Sequence, residues 1–218
     1  MGVRWLWTWD TGKEGLAPAL ERANAAVAAL KGVRRGSWTV QVTALKSKDT
    51  LLLDRDIILV ALTDNPSLTY LINQQTGQVL EADKDVRKIL EGTQMFKPHM
   101  GAHCTGAMYL IGDFVLRLGK MAMRQDNTAM ALIDVEYQPV AAWHTAHPVL
   151  EDFERILSAT LVGDSGKLTR VHVSWKAFAA NQAPDPEQQF DVKQTALQYA
   201  SALVQVKATK RRGLANNS

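Results

Sequence analysis

Residues Gly112 to Met123 and Ala129 to Val140 each alternate apolar and polar side chains with period two, and only Arg124 to Thr128 separates them. A connection that short can join only antiparallel neighbours, so the chain is committed to a β-hairpin. Phe114, Leu116 and Leu118 share one face of the first strand, and Ala131, Ile133, Val135 and Tyr137 share one face of the second. Directly opposed residues point the same way. The two apolar faces therefore coincide only if even-numbered residues of the first strand pair with odd-numbered residues of the second. Arg117 then stands opposite Asp134 or Glu136, a cross-strand ion pair on the polar face.

The rest of the chain supplies elements to pack on this hairpin. Val3, Trp5, Trp7 and Trp9 alternate with Arg4, Leu6 and Thr8, which sets three indoles on one face of a strand. Three exposed indoles would be a liability, so they belong in the core or against a partner, and the core is the preferred reading. Leu16, Leu20, Ala23, Val27 and Leu30 recur four and three apart, an amphipathic helix ended by Gly32. Strands follow at Gly36 to Leu45, Asp56 to Leu62, Ser67 to Ile72 and Gln78 to Ala82, joined by turns at Thr63-Asp64-Asn65-Pro66 and around Thr76-Gly77. Asp83 reads as the N-cap of a helix carrying Val86, Ile89, Leu90 and Met95 or Phe96, stopped by Pro98. Lys97 to Ala107, with its glycines and His99 and His103, reads as a loop.

Beyond the hairpin, Pro148 opens a helix with the stripe Leu150, Phe153, Ile156, Leu157 and Leu161, ended by Gly163. A strand from Thr169 to Trp175 and a loop from Ala179 to Glu187 precede the last helix. Asp191 and Gln194 give that helix a capping box, and Val192, Ala196, Tyr199, Leu203 and Val206 line one face. Strands in meander order interrupted by single helices define an α+β fold. Residues 1–207 are expected to form one domain, and residues 208–218, next to the cluster Lys207, Lys210, Arg211 and Arg212, a basic disordered tail.

The composition narrows the function. A net charge of +3 with interspersed cations is not a nucleic-acid footprint, and no apolar run approaches the roughly 20 residues that span a bilayer. Cys104 is the only cysteine, which excludes an intrachain disulfide and a cysteine-rich zinc site and suits the cytosol or nucleus. Gly163-Asp164-Ser165-Gly166-Lys167-Leu168-Thr169 lacks both the glycine spacing and the hydroxyl of a phosphate loop and reads as a helix-ending turn. His99, His103, Cys104, His144 and His147 have no knuckle or helical framework for a metal, so no metal ligand is assigned. Asp134 and Glu136 project to one strand face and could hold a hard cation, but Arg117 opposite them favours an ion pair. No catalytic residue and no cofactor is assigned.

Several motifs occur in an order that resembles the Mediator subunit 20 family, especially its plant and algal members. They are Gly2-Val3-Arg4-Trp5-Leu6, Gly32-Val33-Arg34-Arg35-Gly36-Ser37-Trp38, Glu81-Ala82-Asp83, Gly112-Asp113-Phe114-Val115-Leu116-Arg117-Leu118-Gly119-Lys120, Val135-Glu136-Tyr137-Gln138-Pro139, Leu150-Glu151-Asp152-Phe153 and Gln194-Thr195-Ala196-Leu197-Gln198-Tyr199. The resemblance implies an antiparallel sheet curled into a barrel-like structure with helices packed on it. It also implies a nuclear, structural subunit of the Mediator head module, beside subunit 18 with subunits 8 and 17 near, contacting RNA polymerase II through the complex. It carries a competing implication as well, because such barrels are similar to the tunnel of metal-dependent RNA triphosphatases, with Asp134 and Glu136 the pair to test. For a scaffold, the docking candidates are the Trp5, Trp7, Trp9 face and the helix stripes at Leu150 and Val192.

Overall fold

The structure, a computed structural model, describes residues 2–48, 56–125, 128–162, 166–173 and 189–215, with side chains as far as Val206. In chain order the elements are β1 (Val3–Asp10), α1 (Leu16–Ala29), β2 (Val33–Ser47), β3 (Ile57–Leu62), β4 (Leu68–Asn73), β5 (Val79–Asp83), α2 (Val86–Gly92), β6 (Phe96–Ile111), β7 (Phe114–Met123), β8 (Ala129–Tyr137), α3 (Trp143–Leu157), a π turn (Ser158–Val162), β9 (Lys167–Arg170) and α4 (Val192–Ala215). The strand expected at Thr169 to Trp175 instead runs from Lys167 to Arg170, where pairing with β1 ends, and Val171 to Val173 are not strand; residues 174–175 and the loop from Ala179 to Glu187 lie outside the described residues.

All nine strands form one antiparallel sheet in the order β5-β4-β3-β2-β6-β7-β8-β1-β9. The hairpin register is the one the alternation requires, with Leu116 opposite Val135, Leu118 opposite Ile133 and Arg117 opposite Asp134. The sheet curls. Helix α4 touches β4, β3 and β2 on one arm and β1 on the other. Five strand spacings separate β3 from β1, about 24 Å in a flat sheet, twice the width of a helix. One helix can meet both arms only if the sheet wraps it, which gives the barrel-like form.

Over β1, β7 and β8 both faces of the sheet are core. The outer face of β1, β7 and β8 buries Trp5, Trp7, Trp9, Leu116, Leu118, Ile133 and Val135 against α1 and α3. The concave face buries Leu6, Val40, Val42, Val60, Cys104 and Leu132 against Leu197, Tyr199, Leu203 and Val206 of α4. The indoles are thus core rather than a partner surface, and so are Leu150, Phe153, Leu157 and Leu161 of the first stripe and Ala196, Tyr199, Leu203 and Val206 of α4.

Four local expectations are corrected. Residues Lys97 to Ala107 are not a loop but part of β6, paired with β2 on one side and β7 on the other. Their glycines serve the curl: Gly106 pairs with Gly119, and a Cβ on Gly106 would come 2.1 Å from the Leu118 carbonyl oxygen. Helix α1 ends in a Schellman motif whose left-handed residue is Lys31 (φ 60°), with Gly32 one position later donating to the Val27 carbonyl at 2.9 Å. Gly32 is needed for space, since its Cβ would meet Val27 Cγ1 at 2.6 Å. Helix α2 is capped at Asp85 rather than Asp83, ends at Gly92 before Pro98 joins β6, and buries none of its residues. Helix α3 starts at Trp143, so Pro148 lies inside it, and Ile156 faces solvent. The capping box of α4 forms as read, the Asp191 amide donating to Gln194 Oε1 at 3.4 Å. The helix continues through Ala215, including the stretch read as the start of the tail.

Candidate functional site

The polar face of the hairpin turns inward. Asp134 is 1% exposed and Arg117 5%, because that face belongs to the concave core under α4. β1 lies beside β8 with Arg4 opposite Glu136 and Leu6 opposite Asp134, so two arginines from flanking strands converge on the carboxylates between them. Arg4 Nε donates to Asp134 Oδ1 at 3.3 Å and lies 3.7 Å from Glu136 Oε2. Arg117 Nη1 donates to Asp134 Oδ1 at 3.4 Å and Arg117 Nη2 to Glu136 Oε2 at 3.0 Å. From the turn after β3, Asp64 Oδ2 forms an ion pair with Arg4 Nη2 at 2.9 Å and accepts from Arg117 Nη2 at 3.1 Å. Tyr199 of α4 completes the set, its hydroxyl donating to Asp134 Oδ2 at 2.6 Å. The neighbouring Gln198 donates to the Arg4 carbonyl at 2.9 Å. The Gly2 amide donates to Glu136 Oε1 at 3.3 Å.

Buried charges are tolerated only when paired and hydrogen-bonded; these are all paired, and Arg117 Nε is the atom of the cluster left without a hydrogen-bond partner among the described residues. Burial alone would lower the Arg4 guanidinium, but Asp134, Asp64, Tyr199 and Glu136 outweigh it and hold the group above its ordinary value. Little space remains. A cavity of about 10 Å³ is lined by Arg4, Trp38, Asp64, Arg117 and Tyr199, room for at most one water.

Burial first and then the Asp134 carboxylate push Tyr199 up from its ordinary 10.0 and Cys104 up from its ordinary 9.0. A group whose pKa rises on folding contributes its full stabilisation below its ordinary value and loses it as pH rises beyond. Stability should therefore fall on the alkaline side, beginning near the ordinary thiol value. Tyr199→Phe is expected to cost about 1.5–3 kcal/mol at neutral pH through the lost bond to a carboxylate. It should also flatten the decline beyond the ordinary tyrosine value, as read by urea unfolding across pH. An unchanged alkaline slope would show that Tyr199 does not carry it.

The other residues considered for chemistry are dispersed. His103 and Cys104 are adjacent on β6 and point to opposite faces, His99 is exposed near the start of that strand, and His144 and His147 lie on α3. His147 packs edge-on against Trp5 at 5.0 Å. Among the described residues no group of three or more His, Cys, Asp or Glu could hold a metal ion. Of the glycine-rich turn, residues 163–165 lie outside the described residues, and Lys167 to Thr169 enter β9. The alternation alone brought Arg117 to the carboxylates. Arg4, Asp64 and Tyr199 were missed, since their roles depend on β1 adjoining β8 and on α4 entering the curl.

This is an α+β protein whose open, curled sheet wraps around helix α4, with the inward carboxylates held by arginines. Residues 1–204 match the family described as the TATA-binding related factor (TRF) of subunit 20 of Mediator complex, and the chain belongs to that family. Mediator of RNA polymerase II transcription subunit 20b of Arabidopsis thaliana is 24% identical over 223 residues, covering 98% of this chain and 99% of that protein. Among solved structures, a chain of the Schizosaccharomyces pombe Mediator head module is similar with TM-score 0.43 and 13% identity, covering 77% of this chain and 100% of that one. A putative adenylyl cyclase from Hippeastrum with a dominant triphosphatase activity gives TM-score 0.47 and 10% identity, covering 87% of this chain and 100% of that one.

Proposed function

We propose that this chain is a noncatalytic scaffold of the Mediator head module, acting in the nucleus in regulation of RNA polymerase II transcription through protein–protein contacts. The family match over residues 1–204 carries the reading. The inward face supports it: a tunnel enzyme needs free acids and open volume for a metal and a phosphorylated substrate. Here Asp134 and Glu136 are each engaged by a guanidinium, and the cavity beside them holds about 10 Å³. Subunit 18 is the direct partner in this reading, with subunits 8 and 17 nearby.

The test is co-expression of the tagged chain with Mediator subunit 18, followed by size-exclusion chromatography. A stoichiometric complex is expected. A well-behaved lone chain that ignores subunit 18 would overturn the partner assignment. Manganese-dependent triphosphate hydrolysis that disappears in Asp134→Asn would overturn the noncatalytic reading in favour of a phosphohydrolase.

A further inference from the structure

Three carboxylates in the ion cluster face two guanidiniums. Arg4 and Arg117 are each shared among Asp134, Glu136 and Asp64. The shortfall falls on Glu136 Oε1. Its fellow oxygen takes a bond from Arg117 Nη2 at 3.0 Å and lies 3.7 Å from Arg4 Nε, whereas Oε1 accepts, among the described residues, only from the neutral Gly2 amide at 3.3 Å. A cationic donor closes on a carboxylate to about 2.7–2.9 Å. Both residues are buried, so water does little to make up the difference.

Residue 2 must be glycine. A Cβ there would come 2.0 Å from the Tyr137 carbonyl oxygen and 2.7 Å from Gln138 Cα, because the start of β1 lies flush against the end of β8. The same smallness suits a second event, since an aminopeptidase that removes methionine from the front of a chain does so when the next residue is small, glycine included. The order of synthesis leaves time for it. Glu136 lies 134 residues beyond Gly2, and at about 5–20 residues per second of synthesis the Gly2 nitrogen is open to such an enzyme for several seconds before β8 exists to cover it.

We propose that the chain is processed at the Met1–Gly2 bond and that the Gly2 α-ammonium is the third cation of the buried cluster, held by Glu136. Hydrolysis consumes one water: the peptide carbon–nitrogen bond breaks, methionine leaves with the water oxygen in its new carboxylate, and the Gly2 nitrogen takes both water protons. The ammonium brings three donors where the amide has one, and a full charge that balances the third carboxylate. Acetylation of the same nitrogen would restore a neutral amide and is incompatible with this role. The inference does not depend on the scaffold reading.

The full chain, tagged at its C-terminus, is expressed in eukaryotic cells, and its front end is read by intact mass and by sequencing of the N-terminal peptide. A free Gly2 is the expected start. Retained Met1, residues ahead of Met1, or an acetylated Gly2 overturns the proposal. The charge is tested on two forms of the full chain, one with a free Gly2 amine and one with that amine acetylated. Thermal unfolding should give the free form a Tm higher by several degrees near neutral pH. The gap should close as pH rises beyond the ordinary α-amino range of about 7.7–8.0, since a group that folding favours in its charged form loses its contribution once deprotonated. Equal Tm values near neutral pH overturn the role of the ammonium. A gap that stays constant with pH assigns the difference to packing and overturns that role as well.

Discussion

Arg4→Met is expected to lower the unfolding free energy by about 3–5 kcal/mol, the range for breaking a buried ion pair from one side. At about 2–4 °C per kcal/mol for a chain of this size, Tm should fall by roughly 6–20 °C. The loss is large because the partners stay behind. Asp134 keeps Arg117 and Tyr199, but Glu136 and Asp64 must share one guanidinium where two stood. The side chains of Arg4 and Asp134 are 3% and 2% exposed and that of Glu136 11%, so water screens the imbalance only at Asp64, at the rim of the cluster. Replacing Arg4, Arg117, Asp134 and Glu136 together by Met or Leu, with Tyr199→Phe, should cost less than Arg4→Met alone, because the carboxylate left without a guanidinium, Asp64, is 39% exposed and can be hydrated. Urea unfolding of both proteins checks the order of the two losses. If the single change costs under about 1 kcal/mol, the value of an exposed pair, the cluster is not buried in solution.

How much of this was legible in sequence follows from the range of the interactions. The hairpin, the indole face and the α4 capping box are set by local alternation and spacing, and each forms as those patterns require. β6 was misread because its concave side shows only Met100, Ala102 and Cys104, modest apolar signals among glycines that are needed for a close strand approach. The polar face of the hairpin showed the right pair but the wrong environment. Nothing within residues 112–140 indicates that α4, more than 50 residues later, covers that face. Arg4 offered the clearest missed signal, a cation among indoles and uncharged residues on a strand whose other charged residue, Asp10, lies exposed at its end. It acquires meaning only once β1 is known to lie beside β8.

The same dependence makes α4 the element whose loss should be most damaging. A chain ending before Asp191 is expected to be insoluble or to lack fixed tertiary packing, seen as loss of near-ultraviolet circular dichroism. Leu197, Leu203 and Val206 are buried against the concave face, and at about 1.5–3 kcal/mol each they approach the ~5–15 kcal/mol that stabilises an ordinary domain. Truncation also removes the Tyr199 hydroxyl from Asp134 and the Gln198 amide from the Arg4 carbonyl, leaving the charge cluster open along one side. Leu203→Asp in the full chain tests the same contact with one buried charge and should unfold it at moderate temperature. The competing tunnel reading predicts the opposite result. If α4 were a plug over a working tunnel, the truncated chain would stay folded, its acids would turn to solvent, and it would gain manganese-dependent triphosphate hydrolysis. The arginines argue against that outcome, because Arg4 and Arg117 belong to strands and would remain on Asp134 and Glu136 after the helix had gone.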